Sequence, residues 1–218
     1  MPKILIVAAT ALEITPVLRH IKIVPQATEG LFTGALNVSV LITGVGMVNT
    51  AYNMGKYVHD DFEYIINAGI CGAFDPSLKT GEVVLVISDV LAELGAEDGD
   101  NFIPYKDLGL GGTDTYRSKH QMQNTLIGSL KEVKGITVNK VHGNDASIKK
   151  IVDLHQPAVE SMEGAAFLRA CENSPARCLQ IRAISNLVEK RDKSKWNIPL
   201  AVENLNSFII QFINSLQR

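Results

Sequence analysis

Two apolar runs that end in charged or amide side chains constrain this chain most. Leu179, Ile181, Ala183 and Ile184 have the composition of a buried strand, yet Arg182 lies among them and Ser185 and Asn186 follow at the end. A guanidinium inside such a strand needs an acidic partner or an anionic ligand, so a structural ion pair and a place in a site are both open. The second run starts at Val159 and Glu160 and passes through Ser161, Met162 and Glu163 into Gly164, Ala165 and Ala166, which favour a helix. Glu163 is therefore expected at a helix amino end, where backbone N–H groups keep a carboxylate ionised and fixed in direction. Such a group can accept hydrogen bonds from two neighbouring hydroxyls, as on a ribose, or can be an ordinary first-turn residue. Both runs deliver polar groups where a strand ends, and open α/β sheets hold ligands at their carboxyl edge.

The remainder of the chain supplies strands and helices in alternation, the pattern of an α/β fold. Residues 3–9, 64–73, 81–89 and 136–141 are predicted strands, and residues 31–33 and 36–42 a hairpin joined at Gly34 and Ala35. Residues 12–20 are predicted helix, with Pro16 tolerable near the first turn. Helices are also expected from about residue 47 to 58, at 118–131, at 146–154, where Lys149 and Lys150 face solvent, and at 199–216. The last carries Leu205, Phe208, Ile209, Phe212 and Ile213 as a core stripe. Periodicity disappears between Leu91 and Arg117, and a loop of that length usually has work to do. Its Glu97, Asp98 and Asp100 lack the ligand spacing of a calcium loop.

With 218 residues the chain is read as one domain able to bury a continuous core. The formal charge of −2 leaves no electrostatic footprint for nucleic acid or an anionic membrane surface. The opening apolar run is too short for a secretory signal, and no stretch is long enough to span a membrane. Three cysteines in apolar surroundings suit a reducing cytoplasm, and the histidines form no zinc pattern. Gly44 and Gly46, between a strand and a helix, leave backbone N–H groups facing a crevice, but lack the third glycine of a dinucleotide site, so NAD is rejected. No cofactor is expected. Cys71 has no histidine placed to activate it and reads as a small buried filler.

The Met162–Glu163 pair heading a helix and the Ser185–Asn186 pair at a strand end resemble the purine nucleosidase and phosphorylase superfamily. Within it, the stretches ESMEGAAF (160–167), RAISNLVEKRD (182–192) and ELGAEDGD (93–100) look like the futalosine hydrolase family. The resemblance implies a three-layer α/β/α fold with a central mixed, twisted sheet, a purine nucleoside as substrate, and a homo-oligomer built on a dimer. It implies that Glu13 positions and deprotonates an attacking water, with Arg182 holding its geometry, and that Glu163 binds the ribose hydroxyls with Met162 beside it. Gly44, Cys71, Gly72 and Ser185 would line the sugar and base. Phe102, Pro104 and Tyr105 would wall an aromatic 5′ tail, whose carboxylate Arg117 or Lys119 could meet.

Asn186 stands where adenine-specific relatives carry Asp. An amide cannot act as a general acid near neutral pH, but its NH₂ can donate to N7 and to O6 of a 6-oxopurine. Hypoxanthine is the favoured leaving base, and futalosine, a hypoxanthine nucleoside with a carboxyphenyl ketone tail, agrees with it. A phosphorylase would need a phosphate site, and the Gly-Asp-Pro-x-Arg pattern of bacterial phosphorylases is missing. A methylthioadenosine nucleosidase is disfavoured by Asn186 and by Ile70, where those enzymes have a small hydroxyl residue. A catalytically silent nucleoside-binding protein is the reading from another class.

Overall fold

The computed structural model describes residues 1–58, 61–119 and 124–217. In chain order its strands and helices are β1 (Ile4–Ala8), a 3-10 turn (Ala11–Ile14), α1 (Thr15–His20), β2 (Gly30–Thr33), β3 (Val38–Ile42), α2 (Met47–Tyr57), β4 (Tyr64–Ala73) and β5 (Val83–Leu91). There follow β6 (Gly95–Asp98), β7 (Asn101–Pro104), a 3-10 turn (Tyr105–Asp107), β8 (Thr115–Arg117), α3 (Thr125–Gly128), β9 (Lys131–Thr137) and α4 (Asp145–His155). The chain closes with β10 (Val159–Ser161), α5 (Gly164–Ala170), β11 (Arg177–Leu187), a 3-10 turn (Lys193–Lys195) and α6 (Ile198–Ser215).

The main sheet is mixed and has helices on both faces, as expected. It runs β10-β9-β5-β11-β4-β1-β3-β2, and β10 also pairs with β4, so five strands close into a ring. Strand β11 lies parallel to β4 and antiparallel to β5. Burial on both faces explains the unbroken apolar runs. On β1, Ile4, Ile6 and Ala8 join the cluster under α1 and α6, while Leu5 and Val7 join the one with Phe167 and Leu168 of α5. Helix α6 presents Leu205, Ile209, Phe212 and Ile213 to the first cluster, the stripe read from the sequence.

Three expectations need correction. The residue 91–117 stretch is not structureless: β6 and β7 form an antiparallel hairpin and β8 adds to the edge of β5. Strand alternation there is masked by Gly, Asp and Glu, which depress any local strand propensity. The helix expected over residues 118–131 is reduced to α3, capped by Asn124, whose Oδ1 accepts from the N–H groups of Leu126 and Ile127. Residues 120–123 of that expectation lie outside the described residues. The following strand starts at Lys131, earlier than the predicted 136, because parallel pairing with β5 recruits polar residues that carry no apolar signal.

Phe212 is fully buried and its ring meets Tyr64 edge-on at 5.9 Å. Phe212→Ala is expected to cost about 3–5 kcal/mol of unfolding free energy, measured by urea denaturation.

Candidate active site

The carboxyl ends of β4 and β11 bring the predicted polar residues together. Arg182 pairs with Gly69 across the two strands, and Asn186 with Gly72. The register shifts between Ile184 and Asn186, so Ser185 is an extra residue, a bulge that re-aims the side chains at the strand end.

Arg182 is buried in the middle of this arrangement and its Nη2 donates to Asn67 Oδ1. A Cβ at Gly69 would overlap Arg182 Nη1 and lie 3.1 Å from Glu13 Oε1, so both side chains converge on that glycine. Glu163 Oε2 is 3.9 Å from Arg182 Nη2, and its Oε1 accepts from the Gly46 N–H at 3.0 Å. The acidic partner expected for Arg182 is thus present: it forms an ion pair with Glu163 and lies near Glu13 as well.

Glu13 sits in the 3-10 turn after β1. Its Oε2 accepts from the Thr10 N–H and hydroxyl at 3.1 and 3.0 Å, and its Oε1 from the Ile70 N–H at 3.2 Å. Burial, then the charge of Glu163, push its pKa above the usual carboxylate range, opposed by Arg182 and these hydrogen bonds. A carboxylate so placed is a candidate proton acceptor.

Glu163 occupies the position just before α5, as expected for a helix amino end. The glycine that serves it is Gly46 and not Gly44. Gly44, at φ +79°, is packed against Glu29 and Asn49, while Gly46, at φ +97°, opens α2 and turns its N–H to the carboxylate. Met162 is half-buried beside Glu163.

Ser185 Oγ stands 3.0 Å from Cys71 O and 2.8 Å from Asn186 Oδ1, and has one proton to share between them. Asn186 Nδ2 donates to Leu187 O at 2.8 Å, leaving its second hydrogen for a ligand. A Cβ at Gly72 would strike Val188, so glycine is required where the amide approaches. The Cys71 thiol is pushed up to about 12, first by burial, and so stays protonated at neutral pH.

Phe102 and Tyr105 belong to the β6–β7 hairpin region, outside the main sheet. Phe102 lies over Gly95 of the opposing strand, and the Tyr105 hydroxyl donates to Gly111 O at 2.6 Å. Neither has a described contact with the Glu13–Arg182–Glu163 cluster. Arg117 and Lys119 are at the wrong end of the sheet for a ligand at that cluster. The Lys119 N–H donates to Cys178 O near the start of β11, eight residues and roughly 26 Å of extended strand from Asn186. Arg117 pairs with Ser88 of β5 at that same level.

Sequence reasoning missed the support beneath α5. Asp89 is buried, with Oδ1 accepting from Thr137 Oγ1 and Oδ2 from Gln180 Nε2, each at 2.8 Å. Thr137 Oγ1 in turn accepts from the Ala165 N–H at 2.7 Å, which ties the first turn of α5 to the sheet. A Cβ at Gly164 would overlap Asp89 and Gln180, so the helix can start this close only with glycine. An Asp inside the run VLVISDVL was the available signal.

Burial raises the Asp89 pKa from 3.8 to about 6. Between those values the folded state holds the proton that the unfolded chain has lost, so this group makes stability fall as pH rises from about 4 to about 6. The fall amounts to roughly 3 kcal/mol. Asp89→Asn should flatten that part of the curve of unfolding free energy against pH.

A family model described as the phosphorylase superfamily matches residues 3–214. The chain is 31% identical to a futalosine hydrolase of Thermus thermophilus, over 76% of each chain. It is 27% identical to a 5′-methylthioadenosine/S-adenosylhomocysteine nucleosidase of Lysinibacillus sphaericus, over 88% of this chain and 86% of that one. The crystal structure of a nucleosidase of the latter kind from Helicobacter pylori superposes with a TM-score of 0.81 at 17% identity, covering 98% of both chains.

Proposed function

This chain belongs to the phosphorylase superfamily and, within it, to the futalosine hydrolase family, and from that premise we propose that it hydrolyses the N-glycosidic bond of futalosine. The products are hypoxanthine and the dehypoxanthinyl sugar, as in the futalosine route to menaquinone. The observation that carries the reading is two carboxylates sharing buried Arg182, with an amide in place of an acid at the strand end beyond them.

Glycoside cleavage passes through an oxocarbenium-like sugar. Glu163 accepts the ribose hydroxyls and places negative charge near the developing cation. Glu13, with its proton affinity raised, orients the attacking water and accepts its proton. Arg182 keeps the two carboxylates apart in role: it favours the ionised form of Glu13 against the pull of burial and of Glu163. Asn186 donates its free N–H to N7 or O6 of the departing base, and Ser185 holds the amide in that orientation. Gly72 and the buried Cys71 line the floor. Phe102 and Tyr105 reach the tail as part of a homodimer, from the hairpin of a second copy.

Glu13→Gln should lower kcat by at least ~10²-fold with a much smaller change in KM, measured as hypoxanthine release from futalosine without phosphate. Added phosphate that accelerates the reaction and yields a sugar phosphate would make the enzyme a phosphorylase. Asn186→Asp should move the ratio of kcat/KM for hypoxanthine and adenine nucleosides toward adenine. An unchanged ratio removes the account of base choice.

A further inference from the structure

The far end of α5 meets the near end of β11 through two cysteines that no preceding step uses. Cys171 closes α5, its backbone N–H donating to Phe167 O, and Cys178 is the second residue of β11. The turn between them folds back on itself: Ser174 N donates to Cys171 O at 3.0 Å, and Ala176 N to Ser174 Oγ at 3.2 Å. Both cysteines are buried in the cluster that holds Phe167 and Leu168, and their thiols are hydrogen-bonded to each other. Cys71 lies in a different apolar cluster, on β4. Sulfur atoms already in contact reach an S–S bond by side-chain rotation, whereas cysteines on elements held apart would need the backbone to move.

The surroundings single out one sulfur as the nucleophile. The Lys119 N–H and Ser118 Oγ donate to Cys178 O at 2.9 and 2.7 Å, and Lys119 Nζ donates to Ser174 O at 2.6 Å. The ammonium is thus fixed on the turn that joins the two cysteines. The hydrogen bond from Cys171 draws the Cys178 thiol below its ordinary value; burial opposes this and Lys119 assists it. Cys171 is pushed well above that value by the same bond and by burial. The thiolate is the attacking species, so the more acidic sulfur reacts first. Access comes from the same side: Ser118, Lys119 and Ala176 line a cavity of about 500 Å³. Cys178 Sγ donates to Ala176 O at 3.4 Å, which puts the sulfur directly behind that wall.

We propose that Cys171 and Cys178 are a redox-active dithiol, a modification site at which hydrogen peroxide closes a reversible disulfide between α5 and β11. The Cys178 thiolate attacks one peroxide oxygen and the O–O bond breaks. Cys178 becomes a sulfenic acid, and the other oxygen leaves as water with the proton that Cys178 gave up. The Cys171 sulfur then displaces the hydroxyl on Cys178: the S–S bond forms, the S–O bond breaks, and the Cys171 proton departs with the hydroxyl as a second water. The two thiols lose two electrons and the peroxide gains them. A thiol reductant restores the pair. Thr137 already ties the first turn of α5 to the sheet, so the oxidised form has this helix anchored at both ends.

The test is hydrogen peroxide added to the native full-length chain, then blocking of free thiols in urea and tryptic mass mapping without reduction. Cleavage after Arg169, Arg177 and Arg182 puts Cys171 in peptide 170–177 and Cys178 in peptide 178–182. The proposal expects these two peptides joined, two hydrogens lighter than their sum, and parted again by a thiol reductant, with Cys71 blocked as a free thiol. In Cys171→Ser the resolving sulfur is gone, and Cys178 should gain two oxygens as a sulfinic acid; in Cys178→Ser, Cys171 should stay a free thiol at the same exposure. Wild-type peptides that remain unlinked overturn the proposal, as does linkage that forms only when peroxide is added after urea. Cys178 found as sulfinic acid in wild type beside a free Cys171 overturns it too. The wild-type result decides whether or not either variant folds.

Discussion

One buried guanidinium sets the charge balance on which the site depends. Arg182 sits within a strand that is otherwise apolar, hydrogen-bonded to Asn67 and flanked by Glu13 and Glu163. The charge of Glu163 adds to burial in holding the Glu13 pKa up, and the guanidinium opposes both. The cation itself would be too costly to bury without the two carboxylates. The three groups therefore stand or fall together, and two glycines make room for them: Gly69 beneath the guanidinium and Gly46 at the start of α2.

A second buried network keeps that balance in place. Asp89 joins Gln180 of β11 to Thr137 of β9, and Thr137 holds the first turn of α5, immediately after Glu163. The helix start is thus tied to the sheet by hydrogen bonds as well as by apolar packing of Ala165, Phe167 and Leu168. In the role proposed for Glu163 such support matters, since an error of about 1 Å in its position weakens charge stabilisation sharply. The bulge at Ser185 sets Asn186, and not Ser185, opposite Gly72.

The sequence was most legible where one residue type admits few environments. Arg182 in an apolar strand, Glu163 before a run of small residues and the stripe on α6 were all read locally and are found as expected. It was least legible over residues 91–131, where polar strands gain their form from neighbours and leave no periodic trace. Arg117 and Lys119 looked available for an anionic tail because their charge is visible in sequence, while their distance from β11's far end is not.

The chain by itself determined an α/β fold with polar groups emptying from strand ends, because apolar runs flanked by Gly, Glu and Asn carry that information within a few residues. Tertiary structure alone decided which glycine serves Glu163 and where the bulge falls. Those are facts of register and pairing between strands far apart in the chain. A shift of one residue in any of them would send the same side chains to the opposite face.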